Sequence, residues 1–418
     1  MNAYHIKGRN VLSGRVEISG AKNAALPLLA AAIVTRGDNE FLSCPEISDV
    51  DSMVKILRAL GCEISNDGNR LSINADNMSS FEIPRPLMKE MRSSMFLAGS
   101  LLARCGEAII SNPGGCNIGE RPIDIHISGL KQLGASIVFT EDTIIIKSKN
   151  LVGTDIMLKY PSVGATENLM MAALAAKGTT RIFNSAKEPE IEDLQKYINS
   201  CGGKISGAGT DVITIEGRRI LRGCKHQIIP DRIEAGTYLL MALATGGRIE
   251  LANTDPKTIR PLLDILRGGG YYVREKEHMI IAKDEGVSRI KCDVSTAPYP
   301  GFPTDLQPQM TAFLTCCGKG SIIEENIFEK RHEYTKELKK MGADIEISEK
   351  KVIIINNNIL CGTRVKAEDL RGGVALVIAG LMATGTTIVD NTKYIKRGYS
   401  GLVEKITALG GKIIEYES

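Results

Sequence analysis

Net charge is almost absent from this 418-residue chain: the formal value at pH 7 is +3. Proteins that bind nucleic acid electrostatically carry a basic stripe, and so small an excess argues against one. Long hydrophobic runs are also missing. The stretch from Leu26 to Val34 falls far short of a membrane span. Met1 to Gly8 carries polar residues where a secretory signal needs an apolar core. The expectation is a soluble, cytoplasmic protein with neither a nucleic-acid nor a membrane partner. Low-complexity tracts are lacking, which excludes a disordered chain. The ten cysteines are scattered with no Cys-x-x-Cys pair, and the five histidines form no zinc pattern. No metal and no cofactor are therefore expected. Nine of the cysteines read as small buried hydrophobes in a reducing compartment; Cys116 is the exception.

The sequence does have length, core-forming residues and repetition. A chain this long exceeds one ordinary domain, and 43% hydrophobic residues are ample for packed cores. A short phrase recurs about every 70 residues: Leu60-Gly61-Cys62-Glu63-Ile64, Leu133-Gly134-Ala135-Ser136-Ile137, Cys201-Gly202-Gly203-Lys204-Ile205, Gly268 to Val273, Met341-Gly342-Ala343-Asp344-Ile345 and Leu409-Gly410-Gly411-Lys412-Ile413. Each phrase ends a helical pattern with glycine and opens an apolar alternation, the mark of a helix feeding a strand. A second set of helix stops falls at Gly37, Gly106, Gly178, Gly246, Gly318 and Gly385. The units read strand, helix, strand, helix, strand, strand, and there are six of them. The last copy ends without a partner strand, while Tyr4 to Lys7 and Arg15 to Ser19 are surplus at the front. The N-terminal segment is therefore expected to supply what the C-terminus lacks. This predicts a mixed α/β fold in two similar domains of three units each, residues 21–229 and residues 1–20 plus 230–418, with an active site between them.

The repeat gives every polar residue an address. The loop entering the first helix of a unit carries Lys22 and Asn23, Arg92, Ser162-Val163-Gly164, Arg232, Asp305 and Arg371. A second loop carries Arg121, Arg331 and Arg397, with Cys116 in the second copy. Helix N-termini attract anions, so cations gathered at these addresses suit a small polyanion; singly, each reads equally well as a solvated charge. Cys116 lies in Asn112-Pro113-Gly114-Gly115-Cys116-Asn117-Ile118-Gly119, a loop composition rather than a core strand. Arg121 stands close enough to stabilise a thiolate, so the cysteine is either reactive or merely tolerated. Asp305 and Asp369 each read as a helix cap or as a carboxylate that handles a hydroxyl proton.

Taken together the motifs resemble the UDP-N-acetylglucosamine 1-carboxyvinyltransferase family of enolpyruvyl transferases. The motifs are Ser19 to Asn23, Pro113 to Cys116 with Gly119 and Arg121-Pro122, Ser162 to Asn168, Pro230 to Thr237, Pro300 to Asp305, Asp369 to Gly373, and Arg397-Gly398-Tyr399. The resemblance spans essentially the whole chain. It implies two inside-out α/β barrels and transfer of the enolpyruvyl group of phosphoenolpyruvate to the 3-hydroxyl of UDP-N-acetylglucosamine, the first committed step of peptidoglycan synthesis. It implies that Lys22, Asn23, Arg121, Arg331, Arg371 and Arg397 bind phosphoenolpyruvate. The UDP-sugar site would comprise Asn23, Arg92, Arg121, Pro122, Ile123, Asp124, Ile125, Ser162, Val163, Gly164, Asp305 and Ile327. Cys116, Asp305, Lys22 and Arg397 would be catalytic, Arg232 and Asp369 supporting, and Cys116 the thiol that the antibiotic fosfomycin alkylates. Alternatives are the sister transferase of the shikimate pathway, which uses no loop cysteine, and a weakly active UDP-sugar-binding regulatory paralogue. Two stretches depart from the family pattern: Leu97-Ala98-Gly99-Ser100 lacks a proline, and Arg331-His332-Glu333-Tyr334 replaces the commoner Arg-Phe-Met-His.

Overall fold

The computed structural model describes residues 2–90, 95–111, 123–217, 219–286 and 290–416. It is a mixed α/β fold of two compact units, one formed by Met1–Ser19 with Pro230–Ser418, the other by the described residues from Gly20 to Ile229. Each has its own hydrophobic core. Among the described residues no helix is long and apolar enough to cross a membrane.

Both units are built with helices inside and sheets outside. In the Gly20-to-Ile229 unit the inner helices are Lys22–Ala31, Phe96–Cys105 and Val163–Ala173; in the other they are Arg232–Ala244, Gln307–Cys317 and Leu370–Met382. Past Arg371 the sequence of Leu370 to Met382 is apolar on every face rather than on one stripe. A helix of that kind is stable only where it is covered on every side, and all but the first residue of Leu370–Met382 are buried. The outer helices, such as Ser48–Ala59 and Pro189–Ser200, alternate buried and exposed residues.

The recurring phrase has one structural cause. Gly61, Gly134, Gly202, Gly270, Gly342 and Gly410 all sit at φ between 92° and 98°. A residue with a Cβ pays about 1–2 kcal/mol in the left-handed region. Each glycine N–H bonds back to the carbonyl three residues earlier, and the next N–H reaches the carbonyl five residues before it, as in Gly410 to Thr407 and Gly411 to Ile406. This paired closure satisfies the orphan carbonyls of an outer helix and turns the chain into a strand. In the second set, Gly37, Gly106, Gly178, Gly246 and Gly385 also have positive φ. The fifth copy differs: Gly318 caps its helix at φ −102°, and the left-handed turn falls two residues later, at Gly320.

Strand exchange between copies follows a rule that the linear repeat does not show. Each four-stranded sheet has one parallel edge strand followed by antiparallel pairs. Ala3–Lys7 lies between Thr386–Asp390 and Lys412–Tyr416, antiparallel to both, filling the place the last copy lacks. The other N-terminal strand, Gly14–Glu17, does not join it; it runs parallel to Arg248–Ala252 in the fourth copy. Likewise Lys225–Gln227 leads the first copy, parallel to Asp38–Leu42. The second copy has a three-stranded sheet, with a single parallel bridge from Glu82 to Ile109 where the edge strand would lie.

Candidate functional site

In the Met1–Ser19 with Pro230–Ser418 unit, Asp305 occupies the short turn Thr304–Leu306 that enters helix Gln307–Cys317. It does not cap that helix with its side chain. Its carboxylate is taken by two guanidinium groups: Oδ1 accepts from Arg331 Nη2 at 2.8 Å and Oδ2 from Arg371 Nη2 at 2.9 Å. The arginine side chains are only 4% and 3% exposed, against 25% for the aspartate. Burial raises a carboxyl pKa, but here Arg371 and Arg331 overcome it and hold Asp305 well below the usual carboxylate range. Within this triad two cations face one anion. The surplus positive charge, nearly shut from water, is a place where a second anion lowers the energy.

The surroundings hold those guanidinium planes in place. Arg331 stacks over Phe328 at 5.1 Å and Arg371 over Tyr399 at 5.5 Å; Arg232, at the start of helix Arg232–Ala244, stacks over Tyr299 at 5.5 Å. Arg331 also donates to Thr304 Oγ1 at 2.8 Å, and Thr304 in turn to Glu325. The buried Glu325 further accepts from the backbone N–H groups of Ile327 and Phe328, which fixes the turn that carries Ile327. Asp369 caps helix Leu370–Met382, accepting from the N–H groups of Arg371 and Gly372 at 2.9 Å each. It therefore acts through Arg371. Asp231 does the same for the helix that begins at Arg232. Arg397 ends the turn Thr392–Arg397 and is half-buried.

In the Gly20-to-Ile229 unit, Lys22 and Asn23 open inner helix Lys22–Ala31. Lys22 Nζ lies 2.7 Å from Asp49 Oδ2, with the two side chains 12% and 4% exposed. Ser162 caps the next inner helix, its Oγ accepting from Ala165 N at 3.3 Å, and so places Val163 and Gly164 in the first turn. Gly164 packs so closely that a Cβ there would sit 3.3 Å from Phe96 and 3.5 Å from His126. Ile123, Asp124 and Ile125 start outer helix Asp124–Gln132 and line a groove of about 620 Å³ with Phe139, Met157 and Lys159. Arg92, Cys116, Arg121 and Pro122 lie outside the described residues. Among the described residues no group of three or more His, Cys, Asp or Glu could hold a metal ion.

Comparison with known proteins adds a second line of observation. The sequence model of the EPSP synthase (3-phosphoshikimate 1-carboxyvinyltransferase) family matches residues 6–406. A protein of Caldanaerobacter subterraneus subsp. tengcongensis named UDP-N-acetylglucosamine 1-carboxyvinyltransferase 2 is 45% identical, with 99% of each chain covered. The UDP-N-acetylglucosamine 1-carboxyvinyltransferase of Pasteurella multocida is 44% identical, covering 100% of this chain and 99% of its own. This chain belongs to the enolpyruvyl transferase (1-carboxyvinyltransferase) family. It is a transferase enzyme, as its full-length relatives are. The fold agrees: the crystal structure of the enolpyruvyl transferase NikO from Streptomyces tendae superposes with a TM-score of 0.90 at 22% identity, covering 100% of this chain and 99% of that one.

In the two stretches that depart from the pattern the chain resembles, Ser100, His332 and Tyr334 face inward, whereas Glu333 is partly exposed and pairs with Lys336. His332 Nε2 donates to Lys350 O at 3.1 Å, and Tyr334 donates to Gln307 Oε1 at 3.2 Å, both residues being buried. Ser100 donates to Met171 Sδ at 3.0 Å in the core, and Gly99 N donates to Asn168 Oδ1 at 2.6 Å. Neither departure touches the Asp305 carboxylate. Three structural partners are missing from the sequence reading: Asp49, Glu325 and Tyr399 as a hydrogen-bonding group. Asp49 stands twelve residues before Gly61, as Glu190 stands twelve before Gly202, but the other four copies carry Pro122, Thr258, Lys330 and Gly398 at that address, so the repeat does not mark it. The Tyr399 hydroxyl accepts from Gln309 Nε2 and Arg371 Nη1 and shares a hydrogen bond with Thr237 Oγ1, all buried, but nothing in the sequence marks a tyrosine hydroxyl as buried.

Proposed function

We propose that this chain transfers the enolpyruvyl group of phosphoenolpyruvate to the 3-hydroxyl of UDP-N-acetylglucosamine and releases phosphate, as a cytoplasmic enzyme of peptidoglycan synthesis that needs no metal or cofactor. The observation that carries the reading is the carboxylate of Asp305 gripped by the buried Arg331 and Arg371, in a chain whose full-length relatives bear the name of that reaction. The family model alone fits a shikimate 3-phosphate acceptor equally well; the relatives' names and the Pro113-to-Cys116 loop favour the UDP-sugar.

In this reading the sugar oxygen attacks C2 of phosphoenolpyruvate while C3 gains a proton from Cys116. A tetrahedral intermediate forms, C3 then returns a proton to the Cys116 thiolate, and the C2–O bond to phosphate breaks as phosphate leaves. Lys22, Arg121 and Arg397 hold the phosphate and carboxylate, so fixed cations meet the charge that develops on those oxygens. Arg331, Arg371 and Asn23 complete that cradle. Arg92, Arg121 to Ile125, Ser162 to Gly164 and Ile327 receive the UDP-sugar. Asp305 faces the 3-hydroxyl. Its depressed pKa makes it a weak base in the resting state, because a general base works best with a pKa near the operating pH. Its part is to orient the hydroxyl as a strong charged acceptor, and to take the proton only as the two arginine bonds slacken. Arg232 and Asp369 support by setting helix starts.

Lys22→Ala is expected to lower phosphate release from phosphoenolpyruvate by roughly 10²–10³-fold, the usual cost of removing one transition-state donor. A variant that is folded by circular dichroism yet within threefold of wild type would remove Lys22 from the site. Fosfomycin is expected to label wild type covalently at Cys116 and to leave Cys116→Ser unlabelled. Peptide mass mapping that finds the adduct on another residue would overturn that assignment.

A further inference from the structure

Away from the residues given a role above, the Gly20-to-Ile229 unit holds two cysteines whose sulfurs face each other. Cys201 follows outer helix Pro189–Ser200 and is buried; Cys224 precedes edge strand Lys225–Gln227 and is half-buried. Their Sγ atoms are 3.4 Å apart, across 23 residues of chain. Both backbones are pinned: Cys201 O accepts from Arg222 N at 2.8 Å and Cys224 O from Glu40 N at 2.9 Å. Two fixed backbone segments thus hold the side chains within reach of each other. We propose that Cys201 and Cys224 form a redox-active dithiol that a hydroperoxide converts to an intramolecular disulfide.

The sulfur contact supplies the first requirement. A disulfide needs sulfurs about 2.05 Å apart, so closure asks for a movement of about 1.4 Å, within the reach of χ1 adjustments at two residues. Cys224 is the more open of the pair and meets the oxidant first. The contact with Cys201 draws its thiol pKa down, against burial and with help from the nearby His226, whereas the same contact and burial push Cys201 up. His226 is itself held, its Nε2 3.0 Å from Asp193 Oδ1 with Tyr197 edge-on to the ring. The Cys224 thiolate attacks one oxygen of hydrogen peroxide, the O–O bond breaks, and a sulfenic acid forms as hydroxide leaves. The proton first lost by Cys224 converts that hydroxide to water. Cys201 sulfur then displaces the sulfenic hydroxyl, which departs with the Cys201 proton as a second water. Two thiols lose two electrons and peroxide gains them.

The test uses the full-length chain, hydrogen peroxide, alkylation of residual thiols and peptide mass mapping. The expected result is a Cys201–Cys224 cross-linked peptide, absent from Cys201→Ser and Cys224→Ser, and a melting temperature raised by roughly 5 °C by the closed loop. In Cys201→Ser, Cys224 is expected to advance to sulfinic acid for want of a resolving thiol. Oxidation of Cys116 appears on its own peptide and does not confuse the reading. If wild type keeps both cysteines reduced while other thiols oxidise, or carries Cys224 to sulfinic acid without a cross-link, the proposal is wrong. The wild-type map decides this even if a variant fails to fold.

Discussion

Asp305→Asn is expected to lower kcat/KM for enolpyruvyl transfer by roughly 10²–10⁴-fold, measured as phosphate release at saturating UDP-sugar. The substitution preserves shape and removes charge. It deprives the 3-hydroxyl of its charged acceptor and leaves Arg331 and Arg371, nearly fully buried, with no anion between them. Breaking a buried pair by removing one partner costs on the order of 3 kcal/mol, so a drop in melting temperature should accompany the lost turnover. Because these effects arise separately, a substrate-like anion that enters the cradle should restore part of the stability and none of the rate. Turnover within threefold of wild type, in a folded protein, would contradict the role given to Asp305.

Arg371→Gln is expected to change the pH dependence as well as the rate. In wild type the two guanidinium groups hold Asp305 ionised well below the usual carboxylate range, against the pull of burial. Its charge is thus present at every pH where the enzyme works, and it contributes no acid limb near pH 4 to 5. Removing Arg371 deletes the largest favourable partner while burial remains, so the Asp305 pKa moves upward. The variant should show kcat reduced by roughly 10²-fold or more and an acid limb absent from wild type, with activity falling as pH drops through the new pKa. Stability shifts with the same sign. A carboxylate with a depressed folded-state pKa stabilises the fold at pH above its unfolded value, and that stabilisation is lost as pH falls through the folded value. The variant should therefore lose part of its neutral-pH stability, with less left to lose in acid. An unchanged acid limb would mean that Arg371 does not set the charge state of Asp305.

The fold was legible where one residue type has one physical use. Six glycines at a common spacing predict six left-handed helix ends, and their φ values lie within a few degrees of one another. The surplus N-terminal strand was readable by counting, since Ala3–Lys7 fills the gap left in the last copy. What counting missed was that Gly14–Glu17 and Lys225–Gln227 each lead another copy, because a parallel edge strand of three or four residues carries little sequence pattern of its own. Asp305 illustrates the limit at the site. Its sequence neighbourhood fits a helix cap, and only the arrival of Arg331, from 26 residues further along the same copy, and of Arg371, from the next copy, makes it an ion-pair centre. Asp369, with similar surroundings in sequence, is a cap in fact. The difference lies in long-range packing that no local window contains. Glu325 was invisible for the same reason: it is a buried acceptor defined by four donors rather than by neighbours in the chain.

The most direct test of the central claim is phosphate release from phosphoenolpyruvate by the wild-type chain, with UDP-N-acetylglucosamine and shikimate 3-phosphate offered as acceptors in parallel. The account predicts release with the UDP-sugar and none above background with shikimate 3-phosphate. Release with shikimate 3-phosphate alone, or with neither acceptor from protein shown to be folded, would contradict it.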